Sequence, residues 1–70
     1  MPRPSNREQR RAELVDAFAL VLADHGYAGA TMVAVAARAG VSPGLLHYHF
    51  RDKRDMLDAL VDRLTGSFVA

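Results

Sequence analysis

His25, His47 and His49 are the residues of this 70-residue chain that first raise metal or proton chemistry. His47 and His49 form an H-x-H pair, and two such ligands on a helix diverge by about 160°. Convergence on one ion needs i and i+4 spacing instead. The chain has no cysteine, so thiolate metal sites, disulfide frameworks and cysteine nucleophiles are excluded. No serine has a histidine and a carboxylate arranged around it, and no glycine-rich phosphate cradle occurs. No metal and no cofactor is expected, and the chain does not read as an enzyme. Its size argues the same way. A chain this short buries only about 60% of its unfolded surface, which leaves little for a pocket beside a core.

The chemistry that remains is that of charge. The formal net charge of +1 conceals a segregation along the sequence. Residues 1–11 hold Arg3, Arg7, Arg10 and Arg11 against Glu8, and residues 38–54 hold Arg38, Arg51, Lys53 and Arg54 against Asp52. Eight basic groups against two acidic ones make these stretches +6; the remainder, Arg63 against six acidic residues, is −5. Such a division is expected of a protein that presents one face to a polyanion. The run Ala17–Ala23 imitates a signal peptide's apolar core. However, Glu13, Asp16, Asp24 and His25 interrupt its surroundings, and it falls short of the ~20 residues that span a bilayer. A cytoplasmic chain with no membrane partner is expected.

The elements that must position these groups are helical. Residues 1–5, with Pro2 and Pro4, read as an N-terminal arm, and Ser5-Asn6-Arg7-Glu8 is a capping box. It opens a helix over 6–25 whose apolar stripe is Leu14, Phe18, Val21, Leu22 and His25. His25 reads as a structural residue on that stripe. Gly26 is placed to end the helix in the left-handed conformation, with Tyr27 folding back an apolar contact. Thr31 caps a second helix with Met32, Val35, Ala36 and Ala39 on one side, stopped by Gly40. Ser42 caps a third, Pro43–His49, with Pro43 at its first position. Asp52 caps a fourth, with Met56, Leu57, Leu60, Val61, Leu64 and Phe68 as its stripe. The fold class expected is all-α: a small helical bundle over residues 6–65 plus the start of a connecting fourth helix. Residues 66–70 read as a connection to a further domain that this chain lacks, since Phe68 and Val69 would otherwise end it uncovered.

Ala36, Gly40 and Leu46 stand at the spacing A-x3-G-x5-L. A small residue lets the next helix cross closely, glycine takes positive φ at the turn, and leucine plugs the second helix onto the first. That spacing fits a helix-turn-helix, and it also fits an ordinary helical hairpin; the flanking +6 favours a helix that enters the major groove of DNA. On the third helix, Leu46 and Phe50 centre the buried side, and His47 and His49 fall on its two flanks. Pro43, Gly44, Leu45 and Tyr48 face the groove. None of these is an arginine, lysine, asparagine or glutamine that bonds a base bidentately, so apolar contact is expected, Leu45 touching a thymine methyl and Gly44 allowing close backbone approach. Arg3 and Arg7 on the arm would add discrimination in a narrow A·T-rich minor groove. The competing reading is a helical protein–protein module with no DNA role, its charged faces meeting a charged partner.

The run Gly26-Tyr27, Thr31, Val35-Ala36, Ala39-Gly40-Val41-Ser42, Gly44, Leu46, His49-Phe50, Lys53 and Leu57 resembles the DNA-binding domain of TetR-family transcriptional regulators over roughly residues 7–62. The resemblance implies a sequence-specific regulator of transcription, of the repressor type, that binds double-stranded DNA as a homodimer on a palindromic operator. It implies too that any effector binds a domain following the fourth helix. Lys53 stands at the family's lysine position, and the phosphate-contacting set expected here is Thr31, Ser42, His47, His49 and Lys53, aided by the N-cap amides. One departure is His47, where the family most often has tyrosine.

Overall fold

In the computed structural model, which describes residues 6–66, four helices follow one another: α1 (Asn6–Gly29), α2 (Met32–Ala39), α3 (Pro43–His49) and α4 (Lys53–Thr65). No strand occurs among the described residues. Arg3, Ser5 with the cap expected of it, and Phe68 lie outside them. Each of the last three helices begins on a side-chain cap. Thr31 Oγ1 accepts from the Ala34 N–H at 3.1 Å, Ser42 Oγ from the Leu45 N–H at 3.1 Å, and Asp52 Oδ1 from the Asp55 N–H at 2.9 Å. These bonds satisfy donors that the first helical turn would leave without partners. At α4 the arrangement is two-sided, because the Asp55 carboxylate accepts from the Arg51 N–H at 2.9 Å.

Leu14, Phe18, Leu46, Phe50, Met56 and Val35 are the largest side chains fully removed from solvent, so all four helices and the segment after α3 meet in one core. Burial of each such side chain stabilises the fold by about 1.5–3 kcal/mol. Ala30, at the corner between α1 and α2, is also fully buried; its small size suits a corner closed by the bond from its N–H to the Tyr27 carbonyl.

Four expectations need correction. Gly26 has positive φ, but its φ of 75° and ψ of 176° lie in the extended glycine region, not the left-handed helix. Residues 27–29 therefore add a further turn beyond the kink instead of ending at it. Tyr27 does not fold back onto the core; it is exposed and its ring receives the Lys53 ammonium. His25 is exposed as well, because the last turn of α1 runs past the buried stretch that ends at Val21. On α4, Met56 and Leu60 are buried, but Val61 and Leu64 are 48% and 67% exposed. The face turned to α1 is the row 56-60-63. Its last member is Arg63, whose guanidinium donates to Asp16 at 2.6 Å and to the Ala12 carbonyl at 3.2 Å. Val61 and Leu64 lie about 100° around the helix from that row.

Candidate nucleic-acid interface

The joint between α2 and α3 is built from backbone. Gly40 takes φ 73° and ψ 30°, its N–H donates to the Ala37 carbonyl at 3.2 Å, and the Val41 N–H reaches the Ala36 carbonyl at 3.0 Å. This pair of bonds, closed by a left-handed residue, stops α2 and reverses the chain. Val41 packs partly against the core beneath the turn, and Ala36 and Leu46 are buried at the crossing. A side chain at Ala36 much larger than methyl would hold α3 away from α2.

With Leu46 and Phe50 inward, α3 turns Pro43, Gly44 and Tyr48 to solvent, Tyr48 with 64% of its surface exposed. Leu45 is half-buried, so only part of it is offered outward. His47 is exposed on one flank and His49 half-buried on the other. Thr31 and Ser42 are exposed at the starts of α2 and α3, and each hydroxyl oxygen accepts a cap bond while its proton stays available to donate. Lys53 opens α4. Its Nζ donates to the Tyr27 carbonyl at 2.6 Å and sits 4.1 Å from the Tyr27 ring centroid, which ties α4 to the end of α1. An ammonium carries three donors, so this bond leaves two. Arg38 is exposed in the last turn of α2.

The first turns of α1 reach the other end of α3. Arg7 lies 5.4 Å from the Tyr48 ring centroid and Arg11 lies 4.4 Å from that of Phe50. Arg11 Nη1 also donates to the His49 carbonyl at 3.2 Å. Tyr48 and His49 meet edge to face at 5.0 Å. Partial burial, and then the charges of Arg7, Arg11 and Arg10 in that order, lower the His49 pKa from 6.5. Arg11 had no role in the sequence reading beyond its charge. A signal for it exists, however: Arg7, Arg11, Leu14 and Phe18 form one row at spacings of four, three and four. The two arginines therefore continue the core-facing stripe toward the N-terminus.

Comparison with known proteins agrees with this geometry. Residues 14–60 match the family described as bacterial regulatory proteins, tetR family. A protein of Paraburkholderia xenovorans (strain LB400) named HTH-type transcriptional regulator BetI is 44% identical over 59 residues, covering 84% of this chain and 30% of that protein. The regulator of the same name from Rhizobium meliloti (strain 1021) is 41% identical over 66 residues, covering 94% of this chain and 32% of its own length. The chain thus spans about a third of the curated relatives it matches, and no solved structure matches it. On a family match that takes in most of the sequence, the chain belongs to the tetR family of bacterial regulatory proteins.

Proposed function

We propose that this chain is the DNA-reading unit of a transcriptional regulator of the repressor type. The observation that carries the reading is α3: its inner side is locked by Leu46 and Phe50, while Pro43, Gly44 and Tyr48 are left facing outward. We assign phosphate contact to Thr31 and Ser42 at the starts of α2 and α3, together with the N-terminal amides of those helices, to His47 and His49 on α3, and to Lys53 at the start of α4; Arg7 stands over Tyr48. Helix N-termini and basic side chains position a protein on the duplex backbone, whereas the groove face carries the sequence information. Leu45 and Gly44 supply apolar contact and close approach. Arg3, outside the described residues, and Arg7, which stands in the first turn of α1 and not on the arm, would add discrimination in the adjacent minor groove.

A regulator of the relatives' length would act as a homodimer on a palindromic operator, with its effector site outside the residues present here. Such a protein works in the cytoplasm and catalyses no reaction. None of the helices among the described residues is long and apolar enough to cross a membrane. Selection from a random duplex pool tests the reading. The chain should enrich one sequence and bind it tighter than a scrambled duplex of the same composition, and Leu45→Ala should relax the preference at one base pair. Failure to enrich any sequence would remove the sequence-specific reading.

A further inference from the structure

We propose that Arg11 is a positioning residue for DNA recognition, fixing the C-terminal turn of α3 through the His49 carbonyl and the Phe50 ring. The inference rests on the DNA-binding reading above and assigns to α1 a part in it that no groove contact requires. α3 has seven residues, too few for a helix to hold its own shape in water. Its pose must come from anchors at its two ends. At the start these are the Ser42 cap and the buried Leu46. At the other end the Phe50 N–H bonds the Leu46 carbonyl at 2.9 Å, and Phe50 is sealed in the core.

The last carbonyls of a helix lack partners within it and carry its negative dipole end. Arg11 supplies a cationic donor to one of them, at His49. Its own place is set by the row it shares with Leu14 and Phe18, both fully buried, and one turn before it on α1 stands Glu8. At this position the planar guanidinium lies on the Phe50 face and donates in its plane through Nη1, which stands one bond farther from the backbone than a lysine Nζ, so a lysine here does not hold the Phe50 ring and the His49 carbonyl together. Tyr48, the exposed ring of α3, immediately precedes His49 and packs edge-on against it. Loosening the His49 carbonyl therefore moves a groove-facing residue. The alternative role for Arg11 is a charge that meets phosphate directly, and lysine would serve there.

The two roles separate in Arg11→Lys and Arg11→Ala. Affinities are measured for a duplex enriched by selection from a random pool and for its scrambled counterpart, over a range of salt. The ratio of the two affinities does not depend on the folded fraction, so partial unfolding of a variant leaves the test intact. For Arg11→Lys the ratio should fall roughly fivefold, with scrambled-duplex affinity and salt slope unchanged; for Arg11→Ala it should fall by a similar factor. A lysine variant that keeps the wild-type ratio overturns the proposal while leaving the DNA reading intact. A wild-type ratio of one overturns the sequence-specific reading, and the proposal with it.

Discussion

Lys53 and His49 show how a side chain's surroundings decide what it contributes. Lys53 is held by the Tyr27 carbonyl and ring, which fixes its ammonium at the start of α4 with donors to spare. Lys53→Ala should weaken binding to all duplexes by a similar factor and flatten the slope of log K against log salt by about one unit, as measured by fluorescence anisotropy. An unchanged slope would assign Lys53 to the α1–α4 joint alone. For His49, partial burial and the arginines of α1 depress the pKa below 6.5, so the folded chain takes up this proton less readily than the unfolded one. The resulting stability is fully present above about pH 6.5 and is lost as pH falls through the lowered folded value. Denaturant midpoints should drop between about pH 7.5 and pH 5, and drop less in His49→Gln. At this scale the sequence disclosed residue types and flanks but not partners. Nothing in the spacing of Lys53 and Tyr27, 26 positions apart, announces their contact, because the packing of α4 against α1 creates it.

Among the elements, the two positive-φ glycines make a controlled comparison, since an added Cβ meets nothing within 4 Å at either. Only backbone strain separates them. Gly40 is in the left-handed region, which asparagine tolerates, whereas Gly26 at ψ 176° is in a region almost reserved for glycine. Gly40→Asn should cost less than about 1 kcal/mol and Gly26→Asn about 1–3 kcal/mol. In a domain of this size each kcal/mol appears as roughly 4–8 °C in thermal midpoint. Equal shifts would contradict the assignment. The four helices and three of their caps were legible because each cap is a local bond between residues three apart. The width of the buried face on α4 was not, since periodicity cannot say which of two adjacent rows meets a neighbour. Met56 and Leu60 are covered, and the row 57-61-64 turns outward toward its end. Leu64→Ser should therefore change stability by no more than about 0.5 kcal/mol, whereas Leu46→Ala should cost about 2–5 kcal/mol.

Over the whole molecule, the segregation of charge along the sequence is carried only in part into space, since Arg10 pairs with Glu13 and Arg54 with Asp58, across the basic and acidic sets. Arg7, Arg10 and Arg11 gather around the end of α3. Elsewhere Arg63, the basic residue in the otherwise acidic remainder, is paired with Asp16 on α1. A net charge of +1 therefore gives little overall attraction to a polyanion, but the α3 face carries a local excess. Binding by such a face releases counterions from the duplex and weakens steeply as salt rises. The affinity of the 70-residue chain for an arbitrary duplex, followed from about 50 to 200 mM salt, tests this most directly. A straight line of log K against log salt is expected, with a negative slope of several units that Lys53→Ala makes shallower. A chain that ignores duplex DNA at the low end of that range, or binds it with no salt dependence, would contradict the account and leave α3 as part of a protein-binding helical module.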